Sequence, residues 1–256
     1  MSHSAITLVT GGAHGIGKAV TQTLMSLGQT LVVLDKDTSA LDRLSQELNH
    51  PDHLHCLALD ICEQQTVTET INHIESTLGP IEQLAHCAGI LKLGPLTQIP
   101  NDDFSQLLNV HLNGSFYLLQ AVSQRMLKRQ QGSIVVVGSN AASTPRKNMG
   151  AYCTSKAALH MLTKCFALEL AEYGIRCNLV SPGSTRTNMQ TQMWNEDYQE
   201  AQTIAGDTKQ FRLGIPLNKI AEPQDIAGAV AFLLSDQAGH ITMHDLRVDG
   251  GATLDQ

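Results

Sequence analysis

Ala5-Ile6-Thr7-Leu8-Val9-Thr10-Gly11-Gly12-Ala13-His14-Gly15-Ile16-Gly17 decides how this chain folds. It opens as a short apolar strand, passes through a glycine-rich turn and continues as a periodic helix from about Ile16 to Leu27, with Gly28 a natural stop. Glycines permit a tight turn and let backbone N–H groups come close to a pyrophosphate at the helix N-terminus. The spacing, with Gly11, Gly15 and Gly17 as G-x-x-x-G-x-G, is not the more familiar G-x-G-x-x-G. A glycine turn alone says little. One that follows a strand and opens a helix reads as a dinucleotide cradle.

Working outward, strand and helix keep alternating. Thr30-Leu31-Val32-Val33-Leu34 is a second strand ending at Asp35, followed by a helix over about Ser39 to Asn49. Leu54-His55-Cys56-Leu57-Ala58-Leu59 leads to Asp60-Ile61 and a helix starting near Glu63. Ile81-Glu82-Gln83-Leu84-Ala85-His86 runs into Cys87-Ala88-Gly89, and one long helix is expected from about Asn101 to Lys128, entered at Pro100. Ser133-Ile134-Val135-Val136-Val137-Gly138 is a strand closed by Ser139, and a helix over about Gly150 to Tyr173 follows. Ile175-Arg176-Cys177-Asn178-Leu179-Val180 ends at Ser181-Pro182-Gly183; a helix from Pro223 to about Leu234 and a strand, Leu246-Arg247-Val248, come last. This alternation predicts an α/β fold, a doubly wound parallel sheet (Rossmann fold), over residues 1–256 as a single NAD-binding domain. Ligands then belong at the C-terminal ends of the strands.

Several side chains fall at those ends. Asp35, about twenty residues past the glycines, is placed to bind an adenosine ribose diol, and its charge would repel a 2′-phosphate, which favours NAD over NADP. The neighbouring cation Lys36 pulls the other way. Asp60 reaches the adenine or merely caps the next helix, two readings of equal weight. Small residues at Ala88-Gly89 let the backbone lie against a cofactor ribose.

The chemistry sits in Tyr152-Cys153-Thr154-Ser155-Lys156. Tyrosine and lysine four residues apart share one helix face. A free phenol titrates near pKa ~10, and a fixed ammonium beside it is expected to lower that value toward the range of a useful base. Ser139 would hold the substrate oxygen. Between Pro182 and Pro223 the pattern loosens into a weakly patterned stretch containing Trp194, Tyr198 and Phe211, read as a substrate lid near residues 184–222. Met189, Met193 and Trp194 are expected to cover an apolar substrate, with ordinary core packing the alternative for each. Arg146, in the loop joining Ser139 to Tyr152, overhangs that site and suits a carboxylate; Arg186 and Arg212 on the lid side are its rivals.

Composition narrows the partners. The formal charge of -7 argues against nucleic acid and anionic membranes, and no apolar run approaches the ~20 residues of a membrane span. Met1-Ser2-His3-Ser4 leads straight into the first strand without a signal-peptide pattern, and the six scattered cysteines include no CxxC pair. A cytoplasmic, reduced protein with no metal and a small-molecule substrate is the expectation.

Thr10-Gly11…Gly15-Ile16-Gly17, Ala88-Gly89, Ser139, Tyr152-x-x-x-Lys156, Pro182-Gly183 and Val248-Asp249-Gly250-Gly251 come in order over nearly the whole chain, which resembles the short-chain dehydrogenase/reductase family. The resemblance implies Ser139, Tyr152 and Lys156 as catalytic residues, with Tyr152 and Lys156 also on the nicotinamide ribose. It implies NAD held along Gly11, His14, Gly15, Ile16 and Gly17, by Asp35, Asp60 and Ile61, and by Ala88, Gly89, Pro182, Gly183 and Thr185. Ser139, Arg146 and Met189 would touch the substrate, and a homotetramer would pack through the two long helices. The chain departs from the family at His86-Cys87, where Asn-Asn is usual, and at His111, where the helix asparagine of the proton relay is usual.

Ala88-Gly89-Ile90-Leu91-Lys92-Leu93-Gly94, Ala141-Ala142-Ser143-Thr144-Pro145-Arg146, Ser181-Pro182-Gly183-Ser184-Thr185 and Gly214-Ile215-Pro216-Leu217-Asn218-Lys219-Ile220 resemble the branch that serves catechol siderophore synthesis. That branch oxidises a carboxylated cyclohexadiene diol. The alternatives are another NAD(P)-dependent alcohol dehydrogenase or 3-oxoacyl-carrier-protein reductase, and a non-catalytic NAD-binding regulator, which would have no need of Ser139, Tyr152 and Lys156 together.

Overall fold

Continuous apolar runs such as Leu31-Val32-Val33-Leu34 belong to strands buried on both faces. The computed structural model describes residues 5–50, 52–194 and 199–254 and shows how that burial is achieved. Strands β1 (Ile6–Thr10), β2 (Thr30–Asp35), β3 (Leu54–Ala58), β4 (Ile81–His86), β5 (Gly132–Val137), β6 (Ile175–Pro182) and β7 (Asp245–Val248) form one parallel sheet in the order β3-β2-β1-β4-β5-β6-β7. Successive side chains of a strand point to opposite faces. Leu31 and Val33 therefore join the core on one face, with helices α1 (Gly15–Ser26), α2 (Thr38–Leu48) and, numbered last, α9 (Pro223–Leu234). Val32 and Leu34 join the other core, with α3 (Gln64–Thr77), α5 (Ser115–Arg129) and α6 (Gly150–Ala171).

The chain leaves β1 toward β2 and β3, then returns to lay β4 on the other side of β1. The sheet therefore splits between β1 and β4, where a ligand crevice forms. Thr10 pairs with His86 across this split, and the Cys87 N–H donates to the Thr10 carbonyl at 3.0 Å.

The long helix expected from Asn101 to Lys128 is not continuous. It is α4 (Asn101–Leu108), a π-helical segment (Asn109–Gly114) and then α5. The apolar period carries through all three, so the wider turn left no trace in the pattern. Its last residue, Gly114, lies against Ile61, where a Cβ would come within 2.9 Å of the Ile61 side chain. Widened turns of this kind gather at functional sites, and this one carries His111.

Residues 184–194 and 199–222 form a cover with little regular structure: α7 (Asn188–Thr191), α8 (Glu200–Ala205) and a short turn at Thr208–Gln210. Tyr198, expected in this stretch, lies outside the described residues. Of the two readings given for Trp194 the structure shows the core one: it packs on the small core of Ile215, Ile220 and Ala252. Among the described residues no helix is long and apolar enough to cross a membrane.

Candidate active site

Two cavities meet at the C-terminal edge of the sheet. One runs along the glycine turn, past the ends of β2 and β3, to Ala88 and Gly89, and encloses about 1280 Å³ with its open mouth. Gly11, His14, Gly15, Ile16, Gly17, Asp35, Asp60 and Ile61 all line it. The other, about 980 Å³, is lined by Ser139, Arg146, Tyr152, Lys156, Pro182, Gly183, Thr185 and Met189. Cys87, Gly89 and Ile90 border both.

The first cavity fits a dinucleotide on the chain's own terms. Gly11 stands at φ +63°, and a Cβ there would lie 2.7 Å from the Ala88 backbone; one at Gly17 would collide with the Gly11 carbonyl oxygen. Only glycine closes this turn. Helix α1 is entered at His14 with no side-chain cap and no acid in its first turn, a state it shares with α3 and α6, but its N-terminus alone of these follows the glycine turn. The first N–H groups of α1 are left to an anion. His14 itself turns away to Asp37, with Nε2 at 2.9 Å. Asp35 accepts the Ala13 N–H on one oxygen and the Asp37 N–H on the other, both at 3.1 Å, which fixes its carboxylate at the rim. Asp60 accepts the Cys62 N–H at 2.9 Å; it shapes the turn before α3 while lining the cleft, and Glu63 holds the cap position.

In the second cavity, Ser139 follows β5 and opens a short turn, its Oγ accepting the Ala141 N–H at 3.1 Å. Tyr152 and Lys156 project from successive turns of α6, and Lys156 Nζ donates to the Val137 carbonyl at 3.1 Å. The ammonium lies 6.0 Å from the Tyr152 ring centre. At that distance it does not produce the expected lowering. Burial pushes the Tyr152 phenol up to about 12, against the opposing effect of Ser139, and draws Lys156 down to about 8. Both groups are being pressed toward neutrality by the same dry surroundings.

Two of the three positions where the family has asparagine, 86 and 111, hold buried histidines. His111 Nε2 accepts the Ile90 N–H at 3.0 Å, so the proton sits on Nδ1 and points to Ser155 Oγ at 2.8 Å; that hydroxyl in turn donates to the Tyr152 carbonyl. His86 bridges Thr10 Oγ1 at 2.6 Å and Ser115 Oγ at 2.8 Å. Burial, with Lys156 adding to it, takes His111 down to about 2 and His86 to about 3. Both are neutral fasteners: His111 ties the loop after β4 to the helix of Tyr152, with its ring edge-on to the phenol at 5.6 Å.

Of the three candidate arginines, Arg146 and Arg212 reach the second cavity. Arg186 does not; it bonds Glu200 and Glu222, joining α8 to the start of α9. Met189 and Met193 line the cavity. Sequence reasoning missed Ser155, which carries the His111 tie, and His160, behind Ser139. The signal for His160 was its place one turn beyond Lys156 on the same helix face.

A family model described as enoyl-(acyl carrier protein) reductase matches residues 11–253. The chain is 54% identical to the vibriobactin-specific 2,3-dihydro-2,3-dihydroxybenzoate dehydrogenase of Vibrio cholerae serotype O1, over 97% of this chain and 95% of the relative. It is 46% identical to the 2,3-dihydro-2,3-dihydroxybenzoate dehydrogenase of Bacillus subtilis, over 97% of this chain and 96% of that one. A solved structure of ElxO with NADP bound superposes with a TM-score of 0.90 at 26% identity, covering 99% of this chain and 100% of the other.

Proposed function

The chain belongs to the short-chain dehydrogenase/reductase family, and on that premise we propose that it oxidises 2,3-dihydro-2,3-dihydroxybenzoate to 2,3-dihydroxybenzoate with NAD⁺, for catechol siderophore synthesis. The observation that carries this reading is the second cavity. There Ser139 and Tyr152, the pair suited to an alcohol, share walls with Arg146 and Arg212, two cations suited to a carboxylate. The two names that match at 54% and 46% identity support the same substrate.

The glycine turn and the start of α1 would hold the cofactor's pyrophosphate, Asp35 its adenosine ribose, and Lys156 its nicotinamide ribose. Asp35 supports NAD, since its carboxylate repels a 2′-phosphate, and Lys36 in the same cleft weakens the preference without reversing it. When bound, oxidised nicotinamide supplies the hydride acceptor and a positive charge near the phenol. Arg146 draws in the carboxylate, and Ser139 holds one ring hydroxyl against Tyr152. That positive charge near the phenol would offset the burial that raises it, and Tyr152, ionised in its presence, takes the hydroxyl proton as hydride leaves the same carbon. The ring ketone left behind tautomerises to the catechol, so the substrate has lost two hydrogens and gained an aromatic ring. The exposed apolar side chains of Phe116 on α5 and of Met161 and Leu168 on α6 support a homotetramer built through those helices.

Purified protein, NAD⁺ and the dihydrodiol acid are expected to yield NADH rapidly, with NADP⁺ at least about tenfold poorer and a β-hydroxyacyl thioester inert. Activity on the thioester with none on the diol would overturn the substrate and leave the tyrosine chemistry standing.

A further inference from the structure

Behind the reaction serine lies a second polar cluster that no step above uses. His160 shares the face of α6 with Tyr152 and Lys156, and its ring is buried against Gly138, where any Cβ would collide with Nε2. Its Nε2 accepts the backbone N–H of Ser139 at 3.3 Å. An acceptor nitrogen carries no proton, so the proton is on Nδ1, which faces Asp245 Oδ2 at 3.4 Å. Ser181, at the end of β6, donates to the other oxygen of Asp245, and its Oγ stands 3.4 Å from Nε2. Burial works to raise the Asp245 carboxyl, and the bonds from His160 and Ser181 outweigh it, holding it below the usual carboxylate range.

Asp245 opens β7, which pairs with β6 alone and stands at the margin of the sheet. The same region holds the next residue too: Asn140 Nδ2 donates to Asp249 Oδ2 at 3.1 Å, just past the end of β7. The turn carrying Ser139 is thus fastened twice to the last strand. Nothing about core packing calls for an imidazole and a carboxylate here, since a buried charge is costly unless a specific geometry needs it.

We propose that His160, oriented by Asp245, is a positioning residue for the reaction: by accepting the Ser139 N–H it fixes the direction in which Ser139 presents its hydroxyl to the substrate. Ser139 Oγ is then held from both sides, through its backbone by His160 and through its side chain by the Ala141 N–H. The inference rests on Ser139 being the residue that holds the substrate oxygen.

The test is a double-mutant cycle of Ser139→Ala with His160→Leu, and with His160→Gln as the rescue. Leucine fills the space without an acceptor; glutamine places an oxygen as many bonds from Cβ as Nε2. H160L is expected to lose about 10²-fold in kcat, as an angstrom of misplacement does, with KM and NADH affinity unchanged. H160Q is expected to recover most of the loss, and H160L to cost nothing further in the S139A background. Should leucine not be tolerated behind Gly138, Asp245→Asn is nearly isosteric and carries the same cycle with a smaller loss, roughly tenfold. Unchanged kcat in H160L, losses that multiply with those of S139A, or a parallel loss of NADH binding would each overturn the proposal. Full turnover in S139A alone would instead overturn the active-site reading on which it rests.

Discussion

The two cavities that meet at Tyr152 are built by opposite means. The cofactor side is framed by strand ends and tight glycine turns, and pinned by neutral, buried histidines at 86 and 111. The substrate side is closed by residues 184–194 and 199–222, where Phe211 is 88% exposed and Arg186 holds two surface acids. A frame of buried hydrogen bonds has one arrangement, because each unmade bond leaves a desolvated group behind. A cover tied by exposed ion pairs gives up little on opening. Under the proposed function the contrast divides the labour: the frame would carry hydride and proton transfer, and the cover, with Arg146 beneath it, would select the ring.

The largest effect belongs to the frame's reacting group. Tyr152→Phe removes the proton acceptor and is expected to lower turnover about 10³-fold or more, with NADH affinity by fluorescence titration nearly intact. Equal loss of NADH affinity would make Tyr152 a binding residue instead, and the division between frame and cover would fail.

The histidine pins sharpen the comparison through pH. Each folded-state value lies below the unfolded 6.5, at about 3 for His86 and about 2 for His111. The unfolded chain therefore binds two protons that the native one does not as pH drops below 6.5. The stability these residues contribute is complete above that pH and is lost on acidification, at about 1.4 kcal/mol per pH unit for each. Urea unfolding between pH 6.5 and 4 should show this slope, and H111N should remove about half of it. The same acidification should leave the cover's exposed pairs with no comparable signature.

A smaller effect is expected at the rim of the cofactor cleft. Asp35→Ser removes the carboxylate that opposes a 2′-phosphate and should reduce the preference for NAD⁺ over NADP⁺ about tenfold in kcat/KM. An unchanged ratio would place the selection at Lys36 or elsewhere in the cleft.

How much of this could be read from the sequence follows the same division. Strand and helix order was legible because the doubly buried strands are unbroken apolar runs, as in Leu31-Val32-Val33-Leu34, and because Gly28 and Pro223 mark real helix ends. The lining of the first cavity was legible because its parts sit at strand ends in a fixed order. The π segment was hidden, since a single widened turn at Asn109–Gly114 does not disturb an apolar stripe. The direction of the Tyr152 shift was misjudged because spacing places Lys156 nearby but says nothing of how dry the site is. His160 escaped because its partner Ser139 lies in distant sequence on another element, and the two readings of Trp194 stayed open because Ile215 is likewise distant.

One comparison of rates tests the role of Arg146 most directly. The wild-type protein and Arg146→Ala would each be given the dihydrodiol acid and the same ring without its carboxylate. The predicted result is a loss of about 10² in kcat/KM for R146A on the acid, carried by KM, and no loss on the neutral diol. Equal losses on both rings would contradict it, because Arg146 would then serve the frame and the carboxylate would be read elsewhere.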